Sequence, residues 1–312
     1  MTARGIALVG VALVLLPAAM PGLTGAPQAP AGQKPQVVTA LGRQYFARGD
    51  ADGAIAKADA ALAADPNNLD LIIAAARAHD AALQFDASIA MYTKAIGMAS
   101  DDVRAFRFRG HRFISTRKFD LAIKDLERAL SLAPASFDVV YHLGLAQFLN
   151  GQFSAASATY RGCLDRKAPG PPLPDGWRDC ASLDDESRIG ISDWLYRCLR
   201  RAGRAEEART LLAGVREGLP VKENEAYYRA LLFYKGVRTE AQVLPAEAFK
   251  ENTGVTVGYG FANFYLAEGQ TPKACALMRR LVEDEAHWNA FGFIGAEADL
   301  TRANGPCMAE AK

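Results

Sequence analysis

The sequence predicts an all-α protein, a right-handed superhelix of stacked helix-turn-helix units closed by a C-terminal capping helix. The first observation behind this is a recurrence at 34 residues. Between residues 103 and 136, Phe106, Gly110, Phe113, Ala122, Leu126, Ala129 and Pro134 alternate small and bulky, as two antiparallel helices packed on each other require. The same grammar returns upstream as Gly42, Tyr45, Ala54, Ala61 and Pro66, then as Ile72, Ala76, Ser88, Tyr92 and Ala95. Downstream it returns as Val140, Gly144, Ala156, Tyr160 and Cys163, so that four registers begin in phase at Pro35, Leu69, Val103 and Phe137. The second observation is compositional. A chain of 312 residues that is 50% hydrophobic and 23% charged is of ordinary globular make-up, with core enough for one long domain.

Taken in order, residues 1–26 read as an export signal: a single charge at Arg4, an apolar run from Ile6 to Leu16, then small residues through Ala26. The run is too short to span a bilayer, so a membrane is met only if the signal stays uncleaved. Removing it takes one Arg from 36 basic residues and nothing from 35 acidic ones, which leaves 35 of each. A neutral chain has no bulk attraction to nucleic acid. Residues 27–36, rich in Pro, Gln, Ala and Gly, bury too little apolar surface to fold and read as a flexible linker. The repeat domain follows over 37–307.

In its first unit Leu41, Gly42 and Tyr45 mark the first helix, Gly49-Asp50 the turn, and Ala54, Ile55, Ala58 and Leu62 the second. The second and third units repeat this, and the fourth turns at Asn150-Gly151. The period then breaks at a proline-rich insertion over 168–188, and resumes at Ile189 with Trp194, Leu195, Leu199, Gly203, Ala208 and Leu212. The second helix of the sixth unit carries Pro245, which removes a helix hydrogen bond, so that helix is expected to be shortened or kinked there. A seventh unit spans 261–282, and a helix from Trp288 to Ala303 is expected to cap the stack with Glu297, Asp299 and Arg302 on a polar outer face.

These offsets resemble those of the tetratricopeptide repeat, and the resemblance implies a concave surface lined by the first helix of each unit that binds another protein. Counting outward positions on those helices places Arg43, Arg77, Arg104, Arg107, His111, Tyr141, Phe148, Arg197 and Arg201 on the inner wall. Guanidinium forks pair with carboxylates and rings give flat apolar contact, so such a wall suits an acidic or C-terminal segment. The alternative is a solvated face neutralised by Asp70, Asp80, Asp138 and Asp193.

No catalytic or metal chemistry is expected, and no cofactor. The four histidines, His79, His111, His142 and His287, have no H-x-x-x-H or H-E-x-x-H spacing, and G-Y-G-F at 258–261 lacks the context of a phosphate loop. The five cysteines include no C-x-x-C pair, and in an exported chain they can oxidise. Cys163 falls where the repeat wants a small buried residue, so a reduced core thiol and a bond are both open. For Cys275 and Cys307 a disulfide is expected: the last two helices run antiparallel, and a left-handed cap at Asn304-Gly305 turns the chain back toward Cys275.

From residue 137 to 303 the order of features resembles the envelope adaptors of the new lipoprotein I (NlpI) type. The matching pieces are YHLGLAQFLNGQFSAASATY, Trp194 to Tyr196 followed by A-E-E-A, YYRALLFYKGVRTEAQVL and FANFYLAEGQTPKACALMRRLV. That resemblance implies a non-catalytic scaffold in the periplasm, or otherwise outside the cytoplasm, that presents envelope proteases or cell-wall hydrolases with their substrates. A structural subunit of an export or polymer-secretion complex is the alternative.

Overall fold

The structure is a computed structural model, and it describes residues 32–308. Those residues form fourteen α-helices and one two-stranded hairpin. The stack is an all-α tetratricopeptide-type solenoid. After α1 (Ala54–Ala64) come three complete pairs, α2 (Leu69–Ala81) with α3 (Phe85–Met98), α4 (Val103–Ser115) with α5 (Phe119–Leu132), and α6 (Phe137–Leu149) with α7 (Phe153–Leu164). Their boundaries repeat with the same period as their cores. Asn68, Asp102 and Ser136 cap the first helix of each pair by accepting from amides of its first turn. Leu83, Arg117 and Gly151 take left-handed φ values of 56°, 62° and 82° at the turn between the helices. Inside the fourth unit a Cβ on Gly144 would lie 2.5 Å from the ring of Tyr160, so only glycine lets the two helices close.

The insertion is folded rather than free. Ala135 and Arg178 carbonyls accept from the amides of Cys180 and Phe137, and Cys180 is bonded to Cys163 in α7 with the Cα atoms 5.0 Å apart. The pairs then resume as α8 (Asp185–Arg201) with α9 (Ala205–Ala213), and α10 (Glu225–Tyr234) with α11 (Glu240–Val243). The single turn of α11 ends before Pro245, as an interior proline requires. Helices α12 (Asn252–Ala267), α13 (Thr271–Leu281) and α14 (Phe291–Thr301) complete the chain. Cys275 and Cys307 are bonded with Cα atoms 5.5 Å apart, and Asn304 has the left-handed φ of 59° that reverses the chain between them.

Two expectations are corrected at the ends of the stack. The first helix of the first unit does not form: β1 (Val37–Val38) pairs antiparallel with β2 (Gln44–Tyr45) around Gly42, whose φ is 74°. The reason lies across the molecule. Tyr45, 2% exposed, stacks on Trp288 at 5.0 Å and donates its hydroxyl to Glu297, which a helical register would not present. At the other end, α14 is no outer cap. Glu297 and Asp299, expected on a polar outer face, are buried, because α14 packs on α6, α12 and α13 and each carboxylate is met by arginine. Arg117 spans this closure, donating to Glu297 and to the Trp288 carbonyl at 2.6 and 2.7 Å. Hairpin and last helices thus join the two ends of the solenoid.

The expected export signal lies outside the described residues, as does the first half of the expected linker. Its last residues are tied down: the Gln36 amide donates to the Tyr45 carbonyl, and the Gln36 side-chain oxygen accepts from Asp86.

Candidate partner-binding site

The nine inner-wall residues divide by what the C-terminal helices do to them. Four lie in the interior, and the groove reading is corrected for them. Arg43 belongs to the hairpin, where it donates to the Val282 carbonyl and pairs with Glu285 at 3.4 Å. Phe148 is fully buried, edge-on to Phe153, Trp194 and Tyr259. Arg197, also fully buried, pairs with Asp193 and donates to the Thr256 carbonyl of α12 at 3.0 Å. Arg201 is held by Asp299 and Asn263, both at 2.7 Å. For the last three the physical reason is common: α12 and α14 lie on the inner faces of α6 and α8, so positions that would be open in a simple stack face the chain's own helices; Arg43 is instead drawn in with the hairpin.

Tyr141 and Arg104 are also engaged. The Tyr141 hydroxyl accepts from the Trp194 indole at 3.0 Å, and its carbonyl accepts from Tyr160. Arg104 lies between Asp102 and Asp70, whose carboxylates take its donors at 2.6 and 2.7 Å. Here the alternative of internal neutralisation is the one realised, as it is for Asp193 with Arg197.

Arg77, Arg107 and His111 remain. Arg77 is exposed and Arg107 half-buried, on the neighbouring first helices α2 and α4. Both guanidinium groups stand over the same ring, Phe108, at 5.4 and 4.9 Å. Trp177, from the insertion, meets Phe108 edge-on and lies 6.0 Å from Arg107. Among the described residues neither arginine has a carboxylate partner; Arg107 reaches only the imidazole of His142, at 3.4 Å, and its buried Nε has no acceptor. Burial, with the nearby charges of Arg112 and Arg77, draws the Arg107 pKa down to about 10. His111 packs against His142 at 4.5 Å and Phe291 at 5.5 Å, and burial among arginines holds both imidazoles neutral at physiological pH.

What this cleft offers is two close like charges, flat rings and unused N–H donors. Phe108 and Trp177 were not among the residues singled out from the sequence. A tryptophan inside a proline-rich loop was the available signal, because a loop that places so large a ring must dock it somewhere.

Residues 109–171 match the tetratricopeptide repeat family. The match runs from within α4 through α5, α6 and α7 into the insertion. No curated protein matches the sequence. Among solved structures the chain is similar to YrrB, described as a TPR protein with an unusual peptide-binding site, at 15% identity over 76% of this chain and 97% of that one, with a TM-score of 0.44. It is similar to a tetratricopeptide repeat protein from Parabacteroides merdae at 14% identity, over 78% and 91% of the two chains, with a TM-score of 0.47. Similarity to MamA from AMB-1 covers 53% and 94% at 18% identity, with a TM-score of 0.39. Within the tetratricopeptide stack described above, the cleft lies where the second and third units meet the insertion.

Proposed function

We propose that this protein is a non-catalytic adaptor whose second and third repeat units bind an acidic segment of a partner protein. The observation that carries the reading is the pair Arg77 and Arg107. Two guanidinium groups over one ring repel each other, and an incoming carboxylate would remove that repulsion while taking up donors the fold leaves unused. Phe108 and Trp177 give the segment an apolar floor. Carboxylates could come from aspartate and glutamate side chains or from a chain end.

The adaptor acts outside the cytoplasm in this reading. Support comes from the N-terminal signal pattern and from two disulfide-bonded cysteine pairs, which persist in oxidising compartments. The class of partner we infer, an envelope protease or cell-wall hydrolase or a substrate presented to one, rests on the order of features in residues 137–303 alone.

Fluorescence anisotropy with labelled peptides rich in Asp and Glu, against Asn and Gln counterparts, tests the site. Acidic peptides should bind, with affinity falling as salt rises. The variant carrying Arg77→Glu and Arg107→Glu should lose at least about tenfold in affinity and most of the salt dependence. Equal binding of charged and uncharged peptides, or unchanged affinity in the variant, would refute it.

A further inference from the structure

A cavity of about 260 Å³ lies between the tetratricopeptide wall and the C-terminal helices. It is lined by Phe85 of α3, His111 and Arg112 of α4, Tyr227 of α10, Thr253 at the start of α12 and Phe291 at the start of α14. Arg112 is the informative member. It is only 9% exposed, yet among the described residues its guanidinium makes no hydrogen bond, and its buried Nε has no acceptor. Its nearest carboxylate oxygen, on Asp80, is 3.6 Å away, beyond hydrogen-bond reach. The Phe85 ring lies 4.9 Å from it. Leaving a buried donor unsatisfied costs about 1–3 kcal/mol, and more for a charged group, so a guanidinium whose buried Nε lacks an acceptor beside a cavity has room for one there.

Two further features give the cavity its sign. Helices α12 and α14, of 16 and 11 residues, both begin at it; neither N-cap residue uses its side chain as a cap, although one amide of the first turn of α14, that of Gly292, already donates to the Thr256 hydroxyl at 3.2 Å. Their free amides and partial positive ends favour an anion. His111 stays neutral through burial and the neighbouring Arg112 charge, so it offers a donor or an acceptor rather than a second cation. The rings of Phe85, Tyr227 and Phe291 share the lining with the polar Ser115, Asn252, Thr256 and Asn289.

We propose that this cavity binds a small organic carboxylate, its carboxylate seated on Arg112 and the starts of α12 and α14, and its apolar body against Phe85, Tyr227 and Phe291. A planar carboxylate suits the guanidinium fork. The volume lies just below the range of about 300–1,000 Å³ typical of drug-sized ligands, which matches a body of one ring.

Phenylacetate is the probe and phenylacetamide, nearly isosteric and uncharged, its control. Isothermal titration of the full chain should show phenylacetate binding with affinity at least about tenfold above that of the amide, and a thermal midpoint raised by phenylacetate alone. Arg112→Met removes the anchor but leaves Asp80 buried, so folding itself could suffer. Thr253→Glu keeps the variant informative: a carboxylate in the first turn favours α12 while it repels an anion in the cavity. Its affinity for phenylacetate should fall about tenfold or more. Equal binding of the two probes, no binding of phenylacetate, or unchanged affinity in Thr253→Glu overturns the proposal.

Discussion

Replacing Gly292 by alanine tests whether α14 is seated against α12 as described, because one methyl group decides it. A Cβ at Gly292 would stand 2.3 Å from the Thr256 Cα, 2.5 Å from the Val255 carbonyl oxygen and 2.8 Å from the Thr256 nitrogen. All three are backbone atoms, so no side chain can swing aside, and the helices must separate. Overpacking of this kind costs about 1–3 kcal/mol, and backbone neighbours put it at the upper end. Alanine in a helix returns about 0.5–1 kcal/mol relative to glycine. The net expectation for Gly292→Ala is therefore a loss of about 1–2 kcal/mol. Gly162 in α7 supplies the matched control, since a Cβ there meets nothing within 4 Å. Gly162→Ala should gain about 0.5–1 kcal/mol. Far-ultraviolet circular dichroism in urea measures both, and the thermal midpoint should move by roughly 2–4 °C per kcal/mol in opposite directions. A Gly292→Ala protein as stable as Gly162→Ala would place α14 elsewhere and remove the wall of the carboxylate cavity with it.

The disulfides give the next expectation. Non-reducing peptide mapping should find Cys163 joined to Cys180 and Cys275 to Cys307, with fully buried Cys198 alkylated only after unfolding. Opening the second bridge by Cys275→Ser and Cys307→Ser should cost about 3–4 kcal/mol on chain-entropy grounds for a separation of 32 residues; a loss near zero would contradict the pairing. A pH dependence follows from Asp299. Burial alone would raise its pKa, but the Arg201 charge and hydrogen bonds from Arg201 and Tyr259 outweigh burial and hold it below the ordinary value. Its contribution is therefore complete above the unfolded-state pKa, about 4, and lost as pH falls through the lower folded-state value. Urea midpoints should decline below about pH 4, and Asp299→Asn should flatten that limb while costing about 3–5 kcal/mol at neutral pH by leaving Arg201 buried and unpaired. An identical acid limb in the variant would show that another carboxylate is responsible.

The repeat was legible because its determinants are local. Gly144 and Tyr160, or the caps Asn68, Asp102 and Ser136, lie within one unit or at one fixed spacing, and a periodic reading finds such pairs. The insertion and the shortened α11 were legible for the same reason, as interruptions of a period by proline. The hairpin at the start was not, because Tyr45 is placed by Trp288 and Glu297, more than 240 residues away, and contacts of that range leave no periodic trace. A weaker signal was present. Residues 137–149, 252–267 and 291–301 are buried on nearly all faces, and helices apolar all round belong to an interior rather than to the open wall of a stack. Read that way, Phe148 was a core residue from the start, and an inner wall facing water could not have extended past α6.

The same closure decides what kind of segment the adaptor can hold. In an open superhelix an extended peptide could follow the inner wall from one end to the other, touching each first helix in turn. Here Thr256 of α12 accepts from Arg197, Tyr259 lies against Phe148, and Phe291 of α14 stands against His111 and His142. The fourth and fifth units therefore spend their inner faces on the chain's own helices. On the other side of the cleft, Arg104 is already neutralised by Asp70 and Asp102. Between these limits, among the described residues, lies a stretch of wall with cations that have no carboxylate partner, from Arg77 across Phe108 to Arg107, bounded by Trp177. A partner segment that binds there must be short, must bring its charge to one place, and must enter from the side of α2 because the far side is closed. The length of the solenoid thus gives no measure of the length of its ligand; the measure is the part of the wall that the last three helices leave uncovered.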